Sequence, residues 1–262
     1  MTELLDLHVY TNNSPGGLDK VSFLCEQAVM RDLRGIAFTD ICAADAPDRA
    51  QTRRRLRHAF FDAAKAKHLF QESLLVLCGI EFEQALADPV FCREILRRER
   101  YDVVLTSVVR SPDGSPFPVG PDMTPEEIGA FAHDYAGALL STVEKTEFDV
   151  LARPLAPLRR MRGDLSVFLS ALDLPLKALA ERDLALEIDT RDVIGSERIR
   201  DLYFSLLQCF RAHGGRRITI GSESYHFEDL GNGVQISIAA AKRAGFENMT
   251  FFEGRDAYEM PL

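Results

Sequence analysis

The 262-residue chain has no tryptophan, and it holds only five cysteines and six histidines. Cys25, Cys42, Cys78, Cys92 and Cys209 are odd in number, widely spaced, and form no C-x-x-C pair. That excludes a zinc ribbon and argues against a disulfide framework, so reduced, buried thiols in a cytoplasmic protein are expected. No segment approaches the 18 or more apolar residues of a membrane-spanning helix, so no membrane partner is expected. Residues 1–7 include Glu3 and Asp6 and lack both a basic and an apolar region, so a secretory leader is not expected there. Basic charge is not in excess. The 31 Lys and Arg against 40 Asp and Glu leave a net charge of −9, which weighs against a nucleic-acid partner. The basic run at 49–57, with Arg53, Arg54 and Arg55, reads as the solvated face of a helix. No G-x-S-x-G elbow, P-loop or G-x-G-x-x-G phosphate cradle occurs, so serine-hydrolase and nucleotide-loop chemistries lack their signatures.

What remains is an ordinary globular composition, 46% hydrophobic and 27% charged. The length suits one barrel domain of about 250 residues, spanning 1–262. Short apolar, β-branched runs predict strands at 4–9, 36–39, 75–82, 102–109, 148–152, 184–189, 218–222 and 249–252. Helical patterns fall between them, at 19–32, 51–70, 91–100, 125–145, 167–182, 197–213 and 235–243. Strand–helix alternation of this kind implies parallel strands joined by right-handed crossovers, in an open sheet or a closed barrel. Thr124, Pro125, Glu126 and Glu127 spell a helix start: a cap, a proline at the first helical position, then acids at the positive dipole end. The stretch 112–125 is rich in proline and reads as a long loop, a candidate lid.

In parallel α/β folds, ligands sit beyond the carboxyl ends of the strands. Those ends read Asp6-Leu7-His8-Val9-Tyr10-Thr11, then Phe38-Thr39-Asp40-Ile41, Gly79-Ile80-Glu81-Phe82 and Thr106-Ser107-Val108-Val109. They continue with Leu151-Ala152-Arg153, Glu187-Ile188-Asp189-Thr190 and Gly221-Ser222-Glu223-Ser224-Tyr225-His226. In this order the segments resemble the polymerase-and-histidinol-phosphatase (PHP) superfamily, in its histidinol-phosphate phosphatase branch. That branch reads D-x-H-x-H-T, I-A-F-T-D-H, G-I-E-F, G-S-V-H, F-D-V-L-G-H, A-L-E-I-N-T and I-T-I-G-S-D-A-H-x-x-E-D-L-G. The resemblance implies an α/β fold, a distorted (β/α)7 TIM-like barrel of the PHP type. It also implies a cluster of divalent metals at the strand ends that activates hydroxide for attack on a phosphate monoester.

Carried over position by position, most of the implied ligands are substituted. The first His is retained as His8 and the Glu of G-I-E as Glu81, while the Asp of S-D-A-H is Glu223. The other ligand positions hold Tyr10, Ile41, Val109, Arg153 and Tyr225. Ile and Val offer no donor atom, and Arg is permanently protonated and repels a cation. The expectation is a degraded metal site, in a catalytically inactive or repurposed relative that needs no cofactor. The alternative is a metal-dependent phosphoesterase with a reduced site, one divalent zinc, iron or manganese ion held weakly by His8, Glu81 and Glu223. Arg110, Arg153, Arg159, Arg160 and Arg191 lie at or just beyond strand ends and could grip a small anionic metabolite bearing phosphate or carboxylate. A third expectation, compatible with anion binding, is that Arg153 forms a buried ion pair with Glu81 or Glu223 in the space the metals left.

Overall fold

The computed structural model describes residues 4–111 and 113–262. Residues 1–3 of the leader reading and Pro112 of the loop lie outside the described residues. Parallel strands β1 (Leu4–Val9), β2 (Leu33–Phe38), β4 (Leu75–Glu83), β5 (Val103–Ser107), β6 (Val150–Leu151), β7 (Ala185–Asp189) and β8 (Ile218–Gly221) run side by side in that order. A three-residue strand β3 (Ile41–Ala43) extends β2 and pairs with β4. The strands are buried on both faces, which is why their sequences are continuously apolar rather than alternating.

The sheet curls until β8 meets β1. Among the described residues their backbone pairing is an isolated parallel bridge, Val9 to Ser224, so the barrel is nearly closed with an unsealed seam. Asp6 of β1 holds the seam with its side chain. Its Oδ1 accepts from the Ser222 amide at 2.9 Å, and its Oδ2 accepts from Ser222 Oγ at 2.6 Å and the Gly231 amide at 2.8 Å. Gly221 is required at this crossing, because a Cβ there would lie 2.2 Å from the His8 Cβ.

Helices α1 (Val21–Met30), α2 (Arg49–Leu69), α3 (Pro89–Leu96) and α4 (Pro125–Lys145) follow successive strands and cover the outside. The predicted start of α4 carries a full capping box. The Thr124 amide donates to Glu127 Oε2 at 2.8 Å, and Thr124 Oγ1 accepts from the Glu127 amide at 3.3 Å. The helix read at 167–182 is two helices, α5 (Val167–Ala171) and α6 (Asp173–Glu181). Pro175 explains the break: it has no amide to donate to the residue four earlier, so it sits in the first turn of a new helix. A short α7 (Thr190–Gly195), absent from the sequence reading, precedes α8 (Glu197–Ala212). After α9 (Val234–Arg243), the run at 249–252 is not a barrel strand. It belongs to an antiparallel hairpin of β9 (Asn248–Glu253) and β10 (Asp256–Pro261).

Described residues of the proline-rich loop are pinned to α4. The Phe117 ring packs edge-on against Phe131 at 5.1 Å and Tyr135 at 5.5 Å. A cleft of about 1080 Å³ lies between this loop and α4, lined by Phe117, Met123, Phe131 and His133 among others. His133 therefore faces this cleft.

Candidate functional site

Successive β1 side chains alternate faces, so Asp6, His8 and Tyr10 share one side. His8 is fully buried. Its Nδ1 lies 2.6 Å from Glu187 Oε1 of β7 and its Nε2 lies 2.8 Å from the Tyr10 hydroxyl. Tyr10 passes the chain on, donating its hydroxyl proton to Glu81 Oε2 at 2.6 Å. Burial opposes a charged imidazole, but the Glu187 and Glu81 carboxylates outweigh it and hold His8 well above its usual range. With an oxygen acceptor at each nitrogen, His8 is placed as a donor to Glu187 and to the Tyr10 hydroxyl.

Glu81 is equally enclosed. Its Oε1 accepts from Ser107 Oγ and from Arg153 Nη2, both at 2.6 Å. Burial would raise this carboxyl, yet Arg153 and His8 prevail and push it far below the carboxylate range. Arg153 then spans the mouth. Nη2 also reaches Glu83 Oε1 at 2.8 Å and Ser107 Oγ at 2.8 Å, while Nη1 donates to Glu223 Oε1 at 3.1 Å. The Arg153 amide donates to Glu187 Oε2 at 2.8 Å, so backbone and side chain of one residue tie four strand ends together. Arg153 is only 6% exposed.

Arg159 makes a second layer. It pairs with Asp189 and Asp192, and its Nη1 donates to Glu223 Oε2 at 2.7 Å. Burial, reinforced by their mutual repulsion, raises Asp189 well above the carboxylate range. Burial raises Asp192 as well, whereas the two arginines overcome burial at Glu223 and lower it. Arg191 stands on the rim, 48% exposed, with Nη1 3.6 Å from Glu223 Oε2 and its guanidinium over the Tyr225 ring at 5.8 Å. Tyr225 in turn leans on Tyr10, with ring centroids 4.5 Å apart.

The remaining expected positions fall outside this network. Arg110 pairs with Asp45 at 2.8 Å, and Arg160 is exposed at the end of a 3₁₀ turn, Ala156–Arg160. Ile41 is buried on β3, and Val109 contributes its amide to Gln84 Oε1 at 2.8 Å. On α2, Arg53 pairs with Glu94 at 2.8 Å and Arg55 donates to the Asn13 and Ile41 carbonyls, so part of the basic run is neutralised. Sequence reasoning passed over Glu83, Ser107, Glu187, Asp189 and Asp192. Glu83 and Glu187 had a signal, since Glu83 stands two residues after Glu81 on the same strand face, and Glu187 lies in a strand-end motif.

These donor atoms do not fit the metal cluster that the strand-end motifs imply. Both nitrogens of His8 and both oxygens of Glu81 and of Glu223 are engaged by protein groups, and a guanidinium lies between the two carboxylates. Polar atoms without a partner nearby are Arg153 Nε, a donor, and Asp192 Oδ2 on a carboxyl that burial raises. Among the described residues, the group of potential ligands close enough to share an ion is elsewhere: Asp173, Cys209 and His213, between α6 and α8. No helix among the described residues is long and apolar enough to cross a membrane.

Comparison with known proteins places this geometry. The chain is 26% identical over 126 residues to "Probable histidinol-phosphatase" of Thermotoga maritima, a stretch covering 48% of this chain and 52% of that protein. It is 33% identical over 79 residues to histidinol-phosphatase of Lactococcus lactis subsp. lactis, covering 30% and 29% of the two chains. The matched stretches thus span about half, and under a third, of these curated relatives. The fold superposes on the crystal structure of histidinol phosphate phosphatase from Lactococcus lactis subsp. lactis, complexed with zinc, L-histidinol and phosphate. That superposition has a TM-score of 0.85 at 21% identity and covers 98% of this chain and 100% of the other. The PHP domain family model matches residues 6–191, from the seam carboxylate Asp6 to the rim arginine Arg191, and the chain belongs to that family, with most of its metal-ligand positions substituted.

Proposed function

We propose that this chain is a non-hydrolytic PHP barrel, a single domain over 1–262 that works without a metal at its mouth. One observation carries the reading: the Arg153 guanidinium bonded to Glu81, Glu83 and Glu223. A divalent ion there would have to displace a permanent cation from a buried site that already matches it with three carboxylates. Cys25, Cys42, Cys78, Cys92 and Cys209 are free thiols, which supports a reducing, cytoplasmic setting. The reading is tested with purified, tag-free chain. Metal content is measured, and L-histidinol phosphate and a generic phosphomonoester are assayed with added zinc, manganese and iron. The expected result is no turnover above background, with or without Glu81→Gln. Phosphatase activity that tracks bound metal and disappears in Glu81→Ala would overturn the proposal and restore the reduced-site phosphoesterase.

A small anionic ligand is the second reading, narrowed to the rim. Arg153 and Arg159 are paired with the chain's own carboxylates, whereas Arg191 is half exposed above the Tyr225 ring. Inorganic phosphate and small carboxylates, titrated calorimetrically, are expected to bind weakly and to lose that binding in Arg191→Ala. Binding that persists in this variant would remove the rim from consideration.

A further inference from the structure

Outside the mouth, the packed helices α6 and α8 bring three side chains of different donor class together. Asp173 is the first residue of α6. Cys209 lies in the last turn of α8, and His213 is its C-cap, one turn further on. The His213 amide donates to the Cys209 carbonyl at 3.1 Å, which keeps the two side chains on the same helix face. His213 Nε2 lies 2.7 Å from Asp173 Oδ1, and the Cys209 thiol donates to the same oxygen at 3.5 Å. The three potential ligand atoms all lie within 4.8 Å of one another.

We infer that Asp173, Cys209 and His213 form a three-ligand site for a zinc-class divalent ion on the outer surface of the barrel, with water in the fourth position. Metal bonds of about 2.0–2.3 Å put tetrahedral ligand atoms roughly 3.3–3.8 Å apart, within reach of the observed spacing by side-chain rotation. Sulfur, imidazole and carboxylate together favour zinc over magnesium or calcium, which take oxygen ligands only. His213 is 24% exposed and Asp173 49%, so solvent can supply the fourth ligand. Without an ion, Asp173 Oδ1 gathers two protons, one from the thiol and one from imidazole Nε2. On binding, the thiol proton leaves to solvent and the sulfur bonds the metal as thiolate. The imidazole proton moves through solvent to Nδ1, freeing the Nε2 lone pair. Lys177, one turn along α6 from Asp173, lies 3.8 Å from Glu181. Among the five cysteines, Cys209 alone is not buried, so a thiolate signal reports on this position.

The experiment uses the full-length, tag-free, reduced chain titrated with cobalt(II) and then zinc. One equivalent of cobalt is expected to bind with thiolate-to-cobalt charge-transfer absorption, and zinc is expected to displace it. Cys209→Ser should abolish that absorption. His213→Ala and Asp173→Ala should each weaken zinc by at least ~10-fold, since even loss of a supporting contact to a metal ligand costs that much. Glu81→Gln, at the mouth, should leave stoichiometry and affinity unchanged. Absence of charge-transfer absorption at saturating cobalt, or unchanged zinc affinity in Cys209→Ser with native far-UV circular dichroism, would overturn the site.

Discussion

Arg153 and Glu223, which face each other across the barrel mouth at 3.1 Å, both sit at φ 52°. Neither is glycine, and the left-handed region costs such residues of the order of 1–3 kcal/mol each. The cost is offset by what the conformation achieves. It turns the Arg153 amide onto Glu187 while the guanidinium reaches Glu81, Glu83 and Glu223. Ends of β4, β5 and β8 are thereby joined around one cation, and the amide of the same residue adds β7.

Removing that cation should be costly. Arg153→Ala leaves Glu81 and Glu223 buried beside each other without their shared partner, and a loss of about 3–5 kcal/mol in unfolding free energy is expected. Urea denaturation of the two proteins checks it. A loss below about 1 kcal/mol would show that the cluster contributes little to stability.

The seam makes a sharper steric prediction. In Gly221→Ala the new methyl would meet the His8 Cβ at 2.2 Å, with the Glu187 carboxylate at 2.8 Å. Neither neighbour can move away cheaply, since His8 is backbone-paired on β1 and Glu187 is bonded to His8 and Arg153. A destabilisation of at least about 2 kcal/mol is expected by thermal or urea unfolding.

Stability should depend on pH through His8. Burial acts against its charge, but Glu187 and Glu81 raise its folded pKa above the ordinary 6.5. The imidazolium contribution is therefore fully present below about pH 6.5 and is lost as pH rises through the folded value. The difference in stability between the native chain and His8→Gln should be largest in mild acid and shrink toward alkaline pH. Urea midpoints across pH 6–10 read this directly, and a gap that widens with pH would contradict the assignment.

On α4, Thr124→Ala removes the side-chain half of the capping box. It should cost about 1 kcal/mol, with Thr124→Ser recovering most of it. Neither change should alter the rim or the Asp173–Cys209–His213 cluster, which lie on other elements.

Much of this was legible in the chain itself. Alternation of apolar runs with helical periods announced parallel strands, and ordered motifs from Asp6 to Glu223 announced a PHP barrel whose ligand positions had changed. The start of α4 could be read to the residue, because a cap, a proline and two acids act within one turn. Local signals failed where the outcome depended on distant partners. The run at 249–252 is a strand, as its apolar pattern predicts, but its pairing with β10 outside the barrel could not be read, since an apolar pattern does not name its neighbour. The arginines show the same limit. From sequence, a pairing of Arg153 with Glu81 or Glu223 could be expected, and both contacts are present, whereas Arg159 and Arg191 were cations near strand ends open to any anion. Which carboxylate each would meet depended on contacts 30 to 72 residues away, set only when the sheet curled and brought Glu81, Asp189 and Glu223 to one mouth. Pattern thus determined the alternation of parallel strands and helices, and the ordered motifs, through the family they resemble, implied the barrel and the loss of its metal ligands, because strand propensity and donor chemistry belong to single residues. Tertiary closure decided that two arginines are internal counter-ions and that Arg191 remains at the rim, because pairing and burial belong to the assembled strand ends.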